Sequence, residues 1–135
     1  MLLKAGRRLF RDDGGAAMVE LAIVLGGVFL PLVFGVVEFG RMGFAKTEVT
    51  AAAREGVRFA IVHGTASGAA ATQTSVSAYV KGRTQLTPIN VTFSFSPNEN
   101  PGSTATVQVT YTYTPIVRIL PSKVITSTSQ QVIAY

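Results

Sequence analysis

Between positions 21 and 37 no side chain is charged, and a single acid, Glu20, stands at the head of that run. A helix rises about 1.5 Å per residue and the hydrocarbon core of a bilayer is about 30 Å thick, so residues 16–37 suffice for one crossing. No later stretch is long and apolar enough to cross again. An ionisable group at the edge of such a run is costly, and its presence there points to a purpose.

The flanks set the expected direction of insertion. Lys4, Arg7, Arg8 and Arg11 precede the run, and basic residues stay on the cytoplasmic side, so the remainder is expected to be exported. A secretory signal peptide is the competing reading, but such segments have a shorter apolar region followed by small residues. Here the run is followed by Glu38, Phe39, Gly40 and Arg41. An uncleaved anchor is the plain structural alternative.

With 135 residues in all, the chain has room for one anchor and one small domain, too small to enclose a large active site. The absence of cysteine excludes disulfides, thiolate metal sites and cysteine nucleophiles. The net charge of +5 has a local origin, because four basic residues lie ahead of the apolar run. The other basic residues are spread among glutamates without the interleaved aromatics of a single-strand binding face, so no nucleic-acid partner is expected.

Helical periodicity continues past the apolar run. Phe39, Met42, Ala45, Val49, Ala52, Gly56 and Phe59 recur at steps of three and four, while Arg41, Glu48 and Glu55 repeat every seven on another face. Glu38 with Arg41, and Glu55 with Arg58, form i,i+3 pairs. The pattern predicts one helix of about 70 Å ending near His63 and Gly64. The charged repeat by itself reads as a solvated face. The apolar stripe is rich in alanine and glycine, which bury little surface but admit a close neighbour, and this favours a packing surface for other helices.

Residues 64–74 are almost wholly Gly, Ala, Ser and Thr and read as a loop. Val76, Tyr79, Val80, Arg83 and Leu86 suggest a short amphipathic helix. Ile89, Val91, Phe93 and Phe95 alternate with polar residues, as do Ala105, Val107, Val109, Tyr111 and Tyr113, the period of half-buried strands. The intervening Ser96-Pro97-Asn98-Glu99-Asn100-Pro101-Gly102-Ser103 is turn chemistry, which makes an antiparallel hairpin the economical pairing. A crossover from Pro115 to Pro121 leads to a further β segment at residues 124–135. The fold class is therefore α+β, a long N-terminal transmembrane helix continuing into an amphipathic helix packed on a small antiparallel sheet.

Three motifs in order carry a resemblance: Gly14-Gly15-Ala16-Ala17-Met18-Val19-Glu20, then Val37-Glu38-Phe39-Gly40-Arg41, then Ala51-Ala52-Ala53-Arg54-Glu55-Gly56-Val57-Arg58-Phe59-Ala60. Through them, and more weakly through residues 110–121, the chain resembles the TadE-like family. Its members are small pseudopilins of tight-adherence (Tad, or Flp) pilus systems related to type IV pilins. The resemblance implies a pilin-like fold and removal of a basic leader, residues 1–15, by a prepilin peptidase that cuts after a glycine five residues before a glutamate. Gly15 meets that spacing with Glu20 and Gly14 does not, so the expected cut leaves Ala16 as the new N-terminus. Residues 16–37 would then be the transmembrane segment, 38–63 its exported continuation and 64–135 a small exported β-rich domain. The implied partners are the peptidase, other pilins or minor pilins, the inner-membrane assembly platform and the membrane itself.

A physical role for Glu20 does not depend on the family. A carboxylate in apolar surroundings needs a partner, and cutting at Gly15 creates an ammonium on Ala16 about one helical turn away. Glu20 of one subunit paired with the Ala16 amine of another would fix axial register, as a buried polar residue does in a coiled coil. A glutamate at the headgroup level of a plain anchor is the other reading. Pro31 also has two readings. It removes the hydrogen bond to the Gly27 carbonyl and, with Gly26 and Gly27, marks either a tolerated membrane kink or a segment that extends on assembly, as helices do in related filaments.

Catalysis is not expected. Asp12 and Asp13 are the only aspartates and would leave with the leader, so the remainder holds His63 and five glutamates, which cannot supply a Ser-His-Asp relay. Glu38, Glu48 and Glu55 are expected along one rod facing lipid, solvent or neighbours, and His63 at the helix end. No cofactor, metal or small-molecule substrate is implied. The alternative to a pseudopilin is an uncleaved, single-span envelope protein whose β domain binds a partner outside the membrane.

Overall fold

The computed structural model describes residues 13–117 and 120–133, so the basic flank with Lys4, Arg7, Arg8, Arg11 and Asp12 lies outside the described residues. The chain divides into two compact units, Met1–Val37 and Glu38–Tyr135. The architecture is α+β, as the periodicities predict: a long apolar N-terminal helix and a three-stranded antiparallel sheet.

In the first unit, α1 (Asp13–Val24) is followed by a π-helical turn, Leu25–Phe29, and then by the opening of α2 (Leu30–Val62). The Leu30 N–H bonds to the Leu25 carbonyl, five residues back. Pro31 explains the widened turn. Its ring crowds the Gly27 carbonyl and it has no N–H to offer, so an extra residue in the turn relieves the clash while the helix continues. Every side chain from position 14 to 37 is exposed. Among the described residues, one helix is long and apolar enough to cross a membrane, and none of its most apolar window is buried within the protein.

In the second unit, the rest of α2 buries Glu38, Ala45, Val49, Ala52, Ala53, Gly56, Val57 and Ala60. The stripe expected from the sequence is buried or half-buried from Met42 onward and fails at Phe39. Phe39 is 74 % exposed, because the heptad ladder through Ala45 and Ala52 runs back to Glu38 and leaves position 39 one step round the helix. Glu38 therefore does not face outward as expected, and Glu48 is half-buried and accepts the Thr84 hydroxyl (3.3 Å). The helix ends at Val62, and His63 closes it by bonding the Phe59 carbonyl through Nδ1 (2.8 Å) and stacking on the Phe59 ring.

The glycine- and serine-rich connection contains one 3₁₀ turn, Thr65–Ser67, closed by Gly68 at φ +75°, where a side chain would be strained. Thr72 then caps α3 (Gln73–Arg83). Its hydroxyl accepts the Ser75 N–H and the Ser75 hydroxyl accepts the Thr72 N–H, a reciprocal capping box. Val76 and Val80 are the buried residues of α3. Leu86 lies beyond its end but packs against the core.

The sheet has the order β1 (Ile89–Ser96), β2 (Thr104–Tyr113), β3 (Lys123–Val132), all antiparallel. Register places Val91 opposite Val109 and Phe93 opposite Val107, so the apolar alternation of both strands falls on one face. That face joins Val49, Ala53 and Val57 of α2 and Val76 and Val80 of α3 in one core. The outer edge of β1 is closed by a side chain: Gln73 Nε2 donates to the Val91 carbonyl (2.6 Å), and the Phe93 N–H donates to Gln73 Oε1 (2.7 Å). The amide thus substitutes for a neighbouring strand.

Candidate functional site

Glu38 is the point at which three segments of the second unit meet. It lies on α2, 6 % exposed, with Arg41 one turn further on. Tyr113 is the last residue of β2, and Ile116 and Val117 open the crossover to β3. Glu38 Oε1 accepts the N–H groups of Ile116 and Val117, the latter at 3.2 Å. Glu38 Oε2 accepts the Tyr113 hydroxyl and, at 3.5 Å, Arg41 Nη1. The Arg41 guanidinium also lies 5.5 Å from the centre of the Tyr113 ring. Two successive backbone N–H groups aimed at one oxygen form an anion nest.

These contacts decide the charge state. The Tyr113 hydroxyl, against some loss of solvation, holds the Glu38 carboxyl below the usual carboxylate range. The Ile116 and Val117 N–H groups and the Arg41 charge act in the same direction. Loss of solvation and the hydrogen bond to Glu38 push the Tyr113 phenol up. Glu38 is therefore an ionised acceptor with both oxygens engaged by protein donors, and Tyr113 a neutral donor. The arrangement ties the start of the second unit to the far end of its central strand.

A second feature of α2 is the close approach at Gly56. A Cβ there would stand 2.7 Å from Val80 Cγ2 and 3.0 Å from Val107 Cγ1, so only glycine lets α3 and β2 come this near. Arg58 and Glu55 pair at 4.0 Å, as the i,i+3 spacing predicts, and both Arg58 and Arg54 are exposed. A Cβ at Gly40 would meet nothing within 4 Å, so packing among the described residues does not explain that glycine.

The remaining residues singled out in the sequence lie in the first unit. Gly15, Ala16 and Glu20 are exposed on α1, Gly26 and Gly27 form part of the π-helical turn, and Pro31 is in the first turn of α2.

Tyr113, Gln73, Val80 and Val107 were not singled out as site residues. The signal for Tyr113 was present. The alternation through Ala105, Val107 and Val109 continues to Tyr113 and turns it inward, and a buried phenol needs a partner for its hydroxyl. Gln73 carried no such signal, because its role is set by where α3 lies against β1.

A family model described as TadE-like protein matches residues 15–58. The match covers the first motif from Gly15, all of the second, and the third as far as Arg58. It is the family that the sequence resembles, and the match spans about a third of the chain. No curated protein and no solved structure matches. The weaker resemblance at residues 110–121 lies outside the matched segment, yet it supplies Tyr113, Ile116 and Val117, the donors to Glu38 inside it.

Proposed function

We propose that the chain is a pseudopilin or minor pilin of a tight-adherence (Flp, type IVc-like) pilus. It is inserted in the inner membrane with its N-terminus cytoplasmic and its C-terminal domain exported, and a prepilin peptidase cuts it between Gly15 and Ala16. The observation that carries the reading is the TadE-like match beginning at Gly15, five residues ahead of the acid at the head of a fully exposed apolar helix. An apolar helix with none of its most apolar window buried by the described residues needs lipid around it before assembly and other subunits after it.

In this reading Glu20 accepts the Ala16 ammonium of a neighbouring subunit and sets the axial register. The π-helical turn before Pro31 is the place where the helix extends on assembly. The exported unit serves contacts with other minor subunits, and its role is structural rather than catalytic. The test is recovery in surface filaments: the wild-type chain is expected in the sheared filament fraction, and Glu20→Ala is expected to be processed but lost from it. A Glu20→Ala chain that is cut and incorporated normally contradicts the pairing role.

A further inference from the structure

The second unit carries an apolar and basic face at the end where it joins the membrane run. Ile116 is 63 % exposed and Leu120 50 %, both in the crossover between β2 and β3, and Val124 at the start of β3 is 61 % exposed. A shallow groove lined by Phe39, Lys46, Lys123 and Val124 lies at the same end of the unit, where Lys123 pairs with Tyr113 and Glu38, next to Phe39, holds the N–H groups of Ile116 and Val117. Isolated exposed apolar residues need no explanation, but several together beside exposed lysines mark an interaction surface.

Two observations identify the occupant. The first is continuity: Glu38 is one peptide bond from Val37, the last residue of the apolar run, and Glu38 accepts hydrogen bonds from Ile116 and Val117. The crossover is thus held to the residue that directly follows the apolar run. The second is charge. Lys46 and Lys123 in the groove, with no acid among its lining residues, suit anionic headgroups, while the apolar side chains suit the acyl boundary below them.

We propose that this face rests on an anionic phospholipid surface, so that the exported unit is docked on the membrane while it waits for assembly. The inference rests on the reading that residues 16–37 span a bilayer. The Glu38 contacts would then hold a lipid-binding loop in place, and release from the surface would accompany entry into a filament.

The absence of native cysteine makes single-cysteine labelling clean. The full chain would carry a nitroxide at Val33→Cys, Leu120→Cys or Gln108→Cys, the last on the exposed outer face of β2. Each would be placed in nanodiscs of phosphatidylcholine with or without phosphatidylglycerol, and collision with oxygen and with a water-soluble nickel complex measured. Val33→Cys is expected deep and Gln108→Cys aqueous. Leu120→Cys is expected at interfacial depth in anionic discs, with nickel access several-fold below that of Gln108→Cys. Lys46→Gln and Lys123→Gln should each weaken the docked population roughly fivefold.

Leu120→Cys as open to nickel as Gln108→Cys, with Val33→Cys still deep, overturns the docking and leaves the span intact. Protection of Leu120→Cys that is equal in neutral and anionic discs and unmoved by the lysine changes points to a protein neighbour and also overturns it. Val33→Cys open to nickel overturns the span and the docking with it. Ile116→Cys provides an independent reporter of the same face.

Discussion

The Glu38 carboxylate accepts the hydroxyl of Tyr113, a residue 75 positions away, and the same carboxylate holds the first two N–H groups of the β2–β3 crossover. One side chain therefore locks helix, central strand and crossover together. Removing the hydroxyl with Tyr113→Phe leaves Oε2 with the longer Arg41 contact alone, and a buried acceptor deprived of its donor is destabilising. Tyr113→Phe should lower the thermal midpoint of the second unit, and Glu38→Ala should lower it further because four donors lose the carboxylate. Circular dichroism of the full chain in detergent checks the order; a Glu38→Ala midpoint equal to wild type contradicts the lock.

The same pair predicts a pH profile. Glu38 is held below its ordinary range in the folded state, so its contribution is complete above the ordinary carboxylate range and is lost as pH falls through the lowered value. Tyr113 is raised, so its contribution is complete below the ordinary phenol range and is lost as pH rises through the raised value. Thermal unfolding across pH should show an acid limb that flattens in Glu38→Gln and an alkaline limb that flattens in Tyr113→Phe.

Two glycines on one helix should respond oppositely to the same substitution. Gly56→Ala drives a methyl into Val80 and Val107 and should cost about 1–3 kcal/mol as overpacking. Gly43→Ala meets nothing within 4 Å and should stabilise by about 0.5–1 kcal/mol through helix propensity. Denaturant midpoints of the two variants decide the matter.

Gln73 closes the edge of β1 with two hydrogen bonds. Gln73→Ala should cost about 1–3 kcal/mol, at roughly 0.5–1.5 kcal/mol per bond. It should also speed amide exchange at Phe93, whose N–H loses its acceptor. Unchanged exchange at Phe93 contradicts the closure.

The elements with a strong period were legible in the sequence. The hairpin of β1 and β2 follows from two-step alternation bounded by turn residues, and the long apolar helix from length and three-to-four spacing. The phase at the head of the second unit's helix is not, because Phe39 looks like core when read forward from the apolar run. Read backward from Ala45 and Ala52, the same spacing selects Glu38. The Gly56 motif gained its physical reason only from Val80 and Val107, which are distant in sequence. The partners of Glu38 were hidden for a related cause: backbone N–H groups of a crossover leave no mark in residue identity.

The central claim is that the chain is a processed pilin-like subunit, and the N-terminal residue and intact mass of the protein from membranes, with and without a partner prepilin peptidase, test it most directly. An N-terminus at Ala16 that appears only with the peptidase is the predicted result. An uncut chain under both conditions contradicts it and leaves a single-span anchor for the exported domain.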